Sequence, residues 1–314
     1  MKRAVISITN ACVLHCLHCY NKNNNRNCIA DYIDEEFVNQ LYSIGIRQIV
    51  LSGGEPTIEW DLLLSVLKLF KNRFSIVITS NGVLLNIEKI HVLKESGVSR
   101  LQISLDGASA CSHEYLRGKG TYSHTLELIK TFPEFITPMF TIHARNYCEV
   151  GDFIGQQLNY GVKKIGFERF IPIKGNVNNG ELELSKNQLF MAYDIISKYK
   201  GIDFHINDPL FNTYLFIKNK TPINIVKSFT DLGCQAQKHN IYIDAIGDVH
   251  PCVFSNDVLF NVHEEPLSAC TCLSSPSIKG CIGCDYYCVC KGCRAAAKTQ
   301  FDDWLEIDPL CPLH

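Results

Sequence analysis

The sequence predicts an α/β fold: a partial (β/α)6 barrel followed by a small cysteine-rich domain built on a β-hairpin. Three observations predict it. Between residues 3 and 169, short β-branched runs alternate six times with amphipathic stretches, as in βα units wound right-handedly about a parallel sheet. Gly45, Gly97 and Gly161 each close a helix-like stretch just before the next run. After Gly233 the alternation stops and cysteines crowd the chain. The 314 residues, 46% hydrophobic and 20% charged, suffice for one large and one small domain, expected at 1–220 and 221–314.

The first run, 3–9, leads into Cys12-Val13-Leu14-His15-Cys16-Leu17-His18-Cys19-Tyr20, three cysteines at C-x3-C-x2-C. Three thiolates on one loop suit three corners of a [4Fe–4S] cubane and leave the fourth iron open to a small molecule. A zinc loop is the competing reading, although zinc sites favour C-x2-C pairs with a second pair elsewhere. A helix is expected over 34–44, with Asp34 as N-cap and Phe37, Val38 and Leu41 at helical spacing. The run 47–52 ends in Gly53-Gly54-Glu55-Pro56, where two glycines let the backbone approach a ligand and the proline stiffens the exit. After a helix over 59–71, the run 74–80 ends in Ser80-Asn81-Gly82, a turn whose polar side chains can face a ligand. After a helix over 86–95, the run 100–105 ends in Ser104-Leu105-Asp106-Gly107 and continues to Arg117-Gly118.

Helices over 121–131 and 150–160 flank a run at 139–144, and the last run, 163–169, ends in Glu168-Arg169. His143, Arg145, Glu168 and Arg169 are candidates to face substrate, with structural hydrogen bonding as the plain alternative. Each motif falls at the C-terminal end of a strand, where barrel-like α/β enzymes place their chemistry. A polar loop at 176–180 reads as a lid or a connector. A helix over 185–200 and core-packing aromatics in 202–219 follow.

In the tail, Cys234 precedes a hairpin-like stretch with an Ile-Gly-Asp turn and Cys252. Then come Cys281-x2-Cys284-x5-Cys290-x2-Cys293 and Cys311, for which a zinc module is again the alternative. A net charge of −2 gives no reason to expect nucleic acid or an anionic membrane as partner. No apolar run reaches the ~18 residues of a membrane span, and no signal-peptide pattern opens the chain. The 16 cysteines are therefore expected to bind metal in the cytoplasm rather than form secreted disulfides.

The cysteine triplet resembles that of the radical S-adenosylmethionine (SAM) superfamily, and Cys16-Leu17-His18-Cys19-Tyr20 resembles its peptide- and cofactor-modifying branch. Gly53-Gly54-Glu55-Pro56 is similar to the family's GGEP motif, and Ser104–Gly107 with Arg117-Gly118 to its SLDG…RG run. The tail resembles the SPASM extension, C-x(9–15)-G-x4-C, a gap, C-x2-C-x5-C-x3-C, a gap, C; it departs in having two residues, not three, between Cys290 and Cys293. The resemblance spans about 3–312 and implies a TIM-like partial barrel, SAM and three [4Fe–4S] clusters. It implies one cluster on Cys12, Cys16 and Cys19, and auxiliary clusters on Cys281, Cys284, Cys290 and Cys311 and on Cys234, Cys252 and Cys293. His18, Tyr20, Gly53, Gly54, Glu55, Pro56, Ser80, Asn81, Ser104, Asp106 and Arg117 become the cofactor-binding set, with GGEP on the SAM amino group and Arg117 matched to a carboxylate.

The implied chemistry is reductive cleavage of SAM to a 5′-deoxyadenosyl radical that takes hydrogen from an unactivated carbon, with a flavodoxin- or ferredoxin-type electron donor. The expected substrate is a ribosomal peptide, to be cross-linked, oxidised or epimerised. The alternatives are a sugar- or aminoglycoside-type small molecule and a non-catalytic metal-binding scaffold. Many such maturases carry an N-terminal leader-binding domain, for which a strand starting at residue 3 leaves no room. Cys28, Cys111 and Cys148 follow strand ends and are candidate hydrogen donors. The Cys234/Cys252/Cys293 set lacks a fourth thiolate, to be supplied by Cys270 or Cys272 or left open.

Overall fold

The computed structural model describes residues 2–21, 30–173, 179–229, 232–236, 238–272 and 277–314. Its elements in chain order are β1 Arg3–Ser7, α1 Glu35–Ser43, β2 Gln48–Ser52, α2 Trp60–Phe70, β3 Ser75–Ser80, α3 Ile87–Glu95, β4 Val98–Ser104, α4 Ala110–Arg117, α5 Thr121–Thr131, β5 Ile136–Ile142, α6 Val150–Asn159, β6 Lys164–Arg169, α7 Asn179–Leu182, α8 Lys186–Lys198, β7 Asp203–Ile206, α9 Leu210–Lys218, α10 Ile223–Val226, β8 Asn240–Ile243, β9 Asp248–His250, β10 Phe260–Asn261 and α11 Arg294–Phe301.

The six expected βα units are present, and β1 to β7 pair in sequence order, all parallel. The strands are nearly continuous apolar runs, as parallel strands covered on both faces must be; Ile6, Ile49, Leu51, Ile76, Ile78, Leu101 and Ile103 are fully buried. Helices cover the sheet through one stripe each, for example Phe37, Val38 and Leu41 on α1. Asp34 caps α1 by accepting the Phe37 N–H at 2.8 Å.

The structure differs from the sequence reading in several places, three of them in the sheet. β5 begins at Ile136, ahead of Pro138, rather than at 139. A proline would break a central ladder, but β6 pairs with β5 only from Met139 onward, so Pro138 interrupts nothing on that side. A seventh parallel strand, β7, lies where core-packing aromatics alone were expected. The hairpin does not stand apart from the barrel: β8 pairs parallel with β1, Arg3 opposite Asn240, and β9 and β10 follow antiparallel, giving one ten-stranded sheet. β1 is thus an interior strand with the hairpin on one side and β2 on the other. No helix among the described residues is long and apolar enough to cross a membrane.

Candidate active site

The cysteine loop leaves the C-terminal end of β1 and is held by backbone bonds to the segment after β2. The Gly54 N–H donates to Thr9 O at 2.7 Å, and the Glu55 N–H to Ala11 O at 2.8 Å. A Cβ on Gly53 would stand 2.4 Å from Thr9 O, and one on Gly54 2.2 Å from Ala11 O. The two glycines therefore admit the cysteine loop's own backbone, where the sequence reading had them admit a ligand.

The Glu55 side chain is likewise engaged by the protein itself. Its carboxylate is fully buried. Oε1 accepts from Thr57 Oγ1 at 2.6 Å and Ser80 Oγ at 2.8 Å, and Oε2 accepts from the Asn81 N–H at 2.7 Å. Glu55 thus ties the end of β2 to the end of β3, and Ser80 is spent in that bond and in accepting from the Gly82 N–H at 2.9 Å. Asn81 is left with Nδ2 directed at Cys12 Sγ, 3.7 Å away. Pro56 opens a single 3-10 turn and is buried, as is Ser104 at the end of β4.

Asp106 and Arg117 form the second support. Arg117 Nε pairs with the buried Asp106 Oδ2, Nη1 points at Cys16 Sγ from 3.9 Å, and Nη2 meets His18 Nε2 at 3.3 Å. The guanidinium expected to bind a carboxylate ligand is occupied by a protein carboxylate and turned toward the cysteine loop. Burial opposes ionisation of Asp106, but Arg117, His18, His113 and the Thr141 N–H at 2.6 Å outweigh it and hold the carboxyl below its usual range. His113 Nδ1 accepts the Asp106 N–H at 3.1 Å. This histidine escaped the sequence reading, which placed no helix at α4. The Ser109 cap and the four-residue step from His113 to Arg117 were the available signals. His143 is also buried, with Nδ1 accepting the Arg145 N–H at 3.2 Å. Burial lowers both His113 and His143 to about 4, so both are neutral.

Across β5 and β6, Thr141 sits opposite Glu168, and Ile142 opposite Arg169. Cross-strand partners share a face and neighbours alternate; Glu168 and Arg169 thus face opposite ways. Glu168 lies on the side of Asp106 and Arg117, half-buried, with burial raising its carboxyl. Arg169 does not face that space. It is buried with Asp208 Oδ2 at 3.1 Å from Nε, and with Asp308 on Nη2. Arg145 is exposed, over the Tyr115 ring at 4.1 Å.

The tail cysteines fall into two neighbourhoods. Burial raises the Cys252 thiol, and Cys293 and Cys234 add to the effect. Cys281 is raised by burial and by Cys284 and Cys311, and Cys290, pushed up to about 12, feels Cys311. The two sets meet where the Cys234 N–H donates to Cys290 O at 3.1 Å. Cys252, Phe254 and Cys293 pack on Ile171, Ala295 and Ala296. Tyr20 reaches this layer from the first loop, its ring 5.7 Å from that of Phe254. In the described residues, no three cysteine sulfurs all lie within 4.8 Å of one another, whereas a shared tetrahedral zinc holds its sulfurs about 3.8 Å apart.

Of the other thiols, Cys111 and Cys148 are exposed. Cys28 lies outside the described residues, as do positions 176–178 of the expected lid and the Cys272 side chain. Cys270 is buried in the main hydrophobic core, which also takes in Cys290, and burial, with no other tail cysteine contributing, pushes it up to about 11.

Comparison with known proteins places this geometry. The Radical SAM superfamily profile matches residues 6–150. An AdoMet-dependent heme synthase of Methanosarcina barkeri is 26% identical over 97% of this chain and 94% of its own length. A mycofactocin maturase MftC of Mycobacterium tuberculosis is 24% identical over 93% of this chain and 77% of its own. Among solved structures, Streptococcus suis SuiB bound to the precursor peptide SuiA shares the fold over 99% of this chain and 75% of SuiB, at 17% identity and TM-score 0.79. Native anSMEcpe with bound AdoMet and the Kp18Cys peptide shares it over 98% of this chain and 93% of its own, at 17% identity and TM-score 0.72.

Proposed function

This chain belongs to the Radical SAM superfamily and is an enzyme; from that premise we propose that it abstracts hydrogen from a peptide substrate bound in the mouth of the barrel. The observation that carries the reading is the supported thiol triplet: Asn81, just after β3, and Arg117, at the end of α4, direct N–H groups at Cys12 and Cys16. Such donors favour the thiolate form that a cluster needs, against burial that pushes Cys19 up to about 11. The donor set fits: three sulfurs on one short loop. When bound, the cluster and SAM supply a 5′-deoxyadenosyl radical. The chain's part is to aim the thiolates, keep His113 and His143 neutral, and present Glu168 toward the reacting space.

The two tail neighbourhoods support two auxiliary clusters, on Cys281, Cys284, Cys290 and Cys311 and on Cys234, Cys252 and Cys293. With Cys270 in the core, the second set has three thiolates and takes its fourth ligand from outside the described protein thiols. A peptide substrate is favoured by the likeness to SuiB, seen with its precursor peptide, and to MftC. A tetrapyrrole is the second reading, favoured by the near end-to-end match to the heme synthase.

Anaerobic reconstitution tests the whole. On the order of 12 iron atoms per chain are expected, four per cubane; stoichiometric zinc instead would overturn the cluster reading. Replacing Cys12, Cys16 and Cys19 by alanine abolishes 5′-deoxyadenosine formation and spares the auxiliary iron. Mass spectrometry against peptides and against iron-coproporphyrin separates the two substrate readings.

A further inference from the structure

Arg169 is 4% exposed, on the face of β6 turned away from the reacting space. It lies between two carboxylates, Asp208 and Asp308, and its Nη1 is buried with no hydrogen-bond partner among the described residues. Asp308 Oδ2 also accepts the Cys293 N–H at 2.6 Å, and Asp308 O accepts the Cys311 N–H at 2.9 Å. One residue, Asp308, therefore joins the end of β6 to a cysteine from each tail neighbourhood, through its carboxylate to Cys293 and through its backbone carbonyl to Cys311. As a staple this is a poor choice, because apolar residues of similar volume hold buried interfaces as well or better. Nε is likewise without a hydrogen bond, although Asp208 Oδ2 lies 3.1 Å from it, so the guanidinium keeps two buried donors unspent among the described residues.

We propose that Arg169 is a positioning residue for the Cys234/Cys252/Cys293 site: clamped by Asp208 and Asp308, it fixes a positive charge beside Cys293 and raises the reduction potential of the cluster held there. The proposal rests on the auxiliary-cluster reading above. Reduction adds one electron and no atom to the cluster, so a fixed cation nearby favours the reduced form, most strongly where water is excluded. The electron comes from the carbon radical that hydrogen abstraction leaves on the substrate. Asp308 sets the strength of the effect by neutralising part of the guanidinium charge.

The test is a redox titration followed by electron paramagnetic resonance on the reconstituted full chain. Cys12, Cys16 and Cys19 are replaced by alanine to remove the first signal, and the signal lost on Cys252→Ala marks the site. Arg169→Gln is expected to lower that site's midpoint potential, Asp308→Asn to raise it, and Arg169→Lys to leave it near the parent value. Shifts of one sign in Arg169→Gln and Asp308→Asn, or none in either with iron retained, overturn the proposal and leave the cluster reading standing. If Arg169→Gln loses iron, Asp308→Asn decides: no upward shift overturns the proposal. A parent protein that lacks the Cys252-dependent signal but keeps the iron of the other sites defeats the auxiliary-cluster reading, and this proposal with it.

Discussion

At the residue scale, the site is held by a few buried groups whose partners are all protein. Asp106 is the clearest. Asp106→Asn leaves Arg117 buried without its counter-charge and is expected to cost about 3–5 kcal/mol at pH 7, read by chemical denaturation. The folded carboxyl lies below its unfolded value, so its contribution is whole above that value and is lost as pH falls toward the folded one. The gap between parent and variant should accordingly narrow below about pH 4. The histidines give a second window. His113 and His143 titrate near 4 when folded and near about 6.5 when unfolded, so the unfolded chain takes up protons first as pH drops. The metal-free protein should melt at a lower temperature at pH 5 than at pH 7.5, and a flat profile would contradict their burial as neutral rings. The cysteine loop was legible in the sequence because its spacing, C-x3-C-x2-C, stands out without any partner. The partners of Asp106 and Glu55 were not, since a carboxylate at a strand end reads the same whether it meets a ligand or a neighbouring strand.

At the element scale, alternation along a strand decides what a side chain can reach. The six βα units were legible from hydrophobic runs and closing glycines, and β7 was missed because it is four residues long, one exposed and three half-buried. Period two also separates Glu168 from Arg169, a constraint present in the sequence once β6 was assigned. The glycine pair after β2 makes a sharp prediction. Gly54→Ala places a methyl 2.2 Å from Ala11 O and should destabilise by about 1–3 kcal/mol or more, with loss of iron at the first site. Gly155→Ala, inside α6 with nothing within 4 Å of the new methyl, should instead stabilise by about 0.5–1 kcal/mol. Equal effects from the two changes would refute the close approach of the cysteine loop to the β2 end.

At the scale of the whole molecule, the tail is part of the barrel's sheet. A chain ending at residue 220 would strip β1 of its β8 partner and Arg169 of Asp308. Such a fragment is expected to aggregate rather than remain monodisperse by size-exclusion chromatography; a soluble, cooperatively melting 1–220 would show that β8 is dispensable. This joining was not legible beforehand, because a hairpin that completes its own pairing looks the same on its own as on the edge of a larger sheet. Its consequence lies in the order of assembly. Arg3 and its partner Asn240 are 237 positions apart. At the usual ~5–20 residues per second of synthesis, the strand that leads into the cysteine loop emerges on the order of 10–50 seconds before the strand that flanks it. For that interval the nascent chain carries an open apolar edge beside three free thiols. Closing of the site then waits on the emergence of β8, and until that moment the growing polypeptide can pair along that edge with a neighbour's.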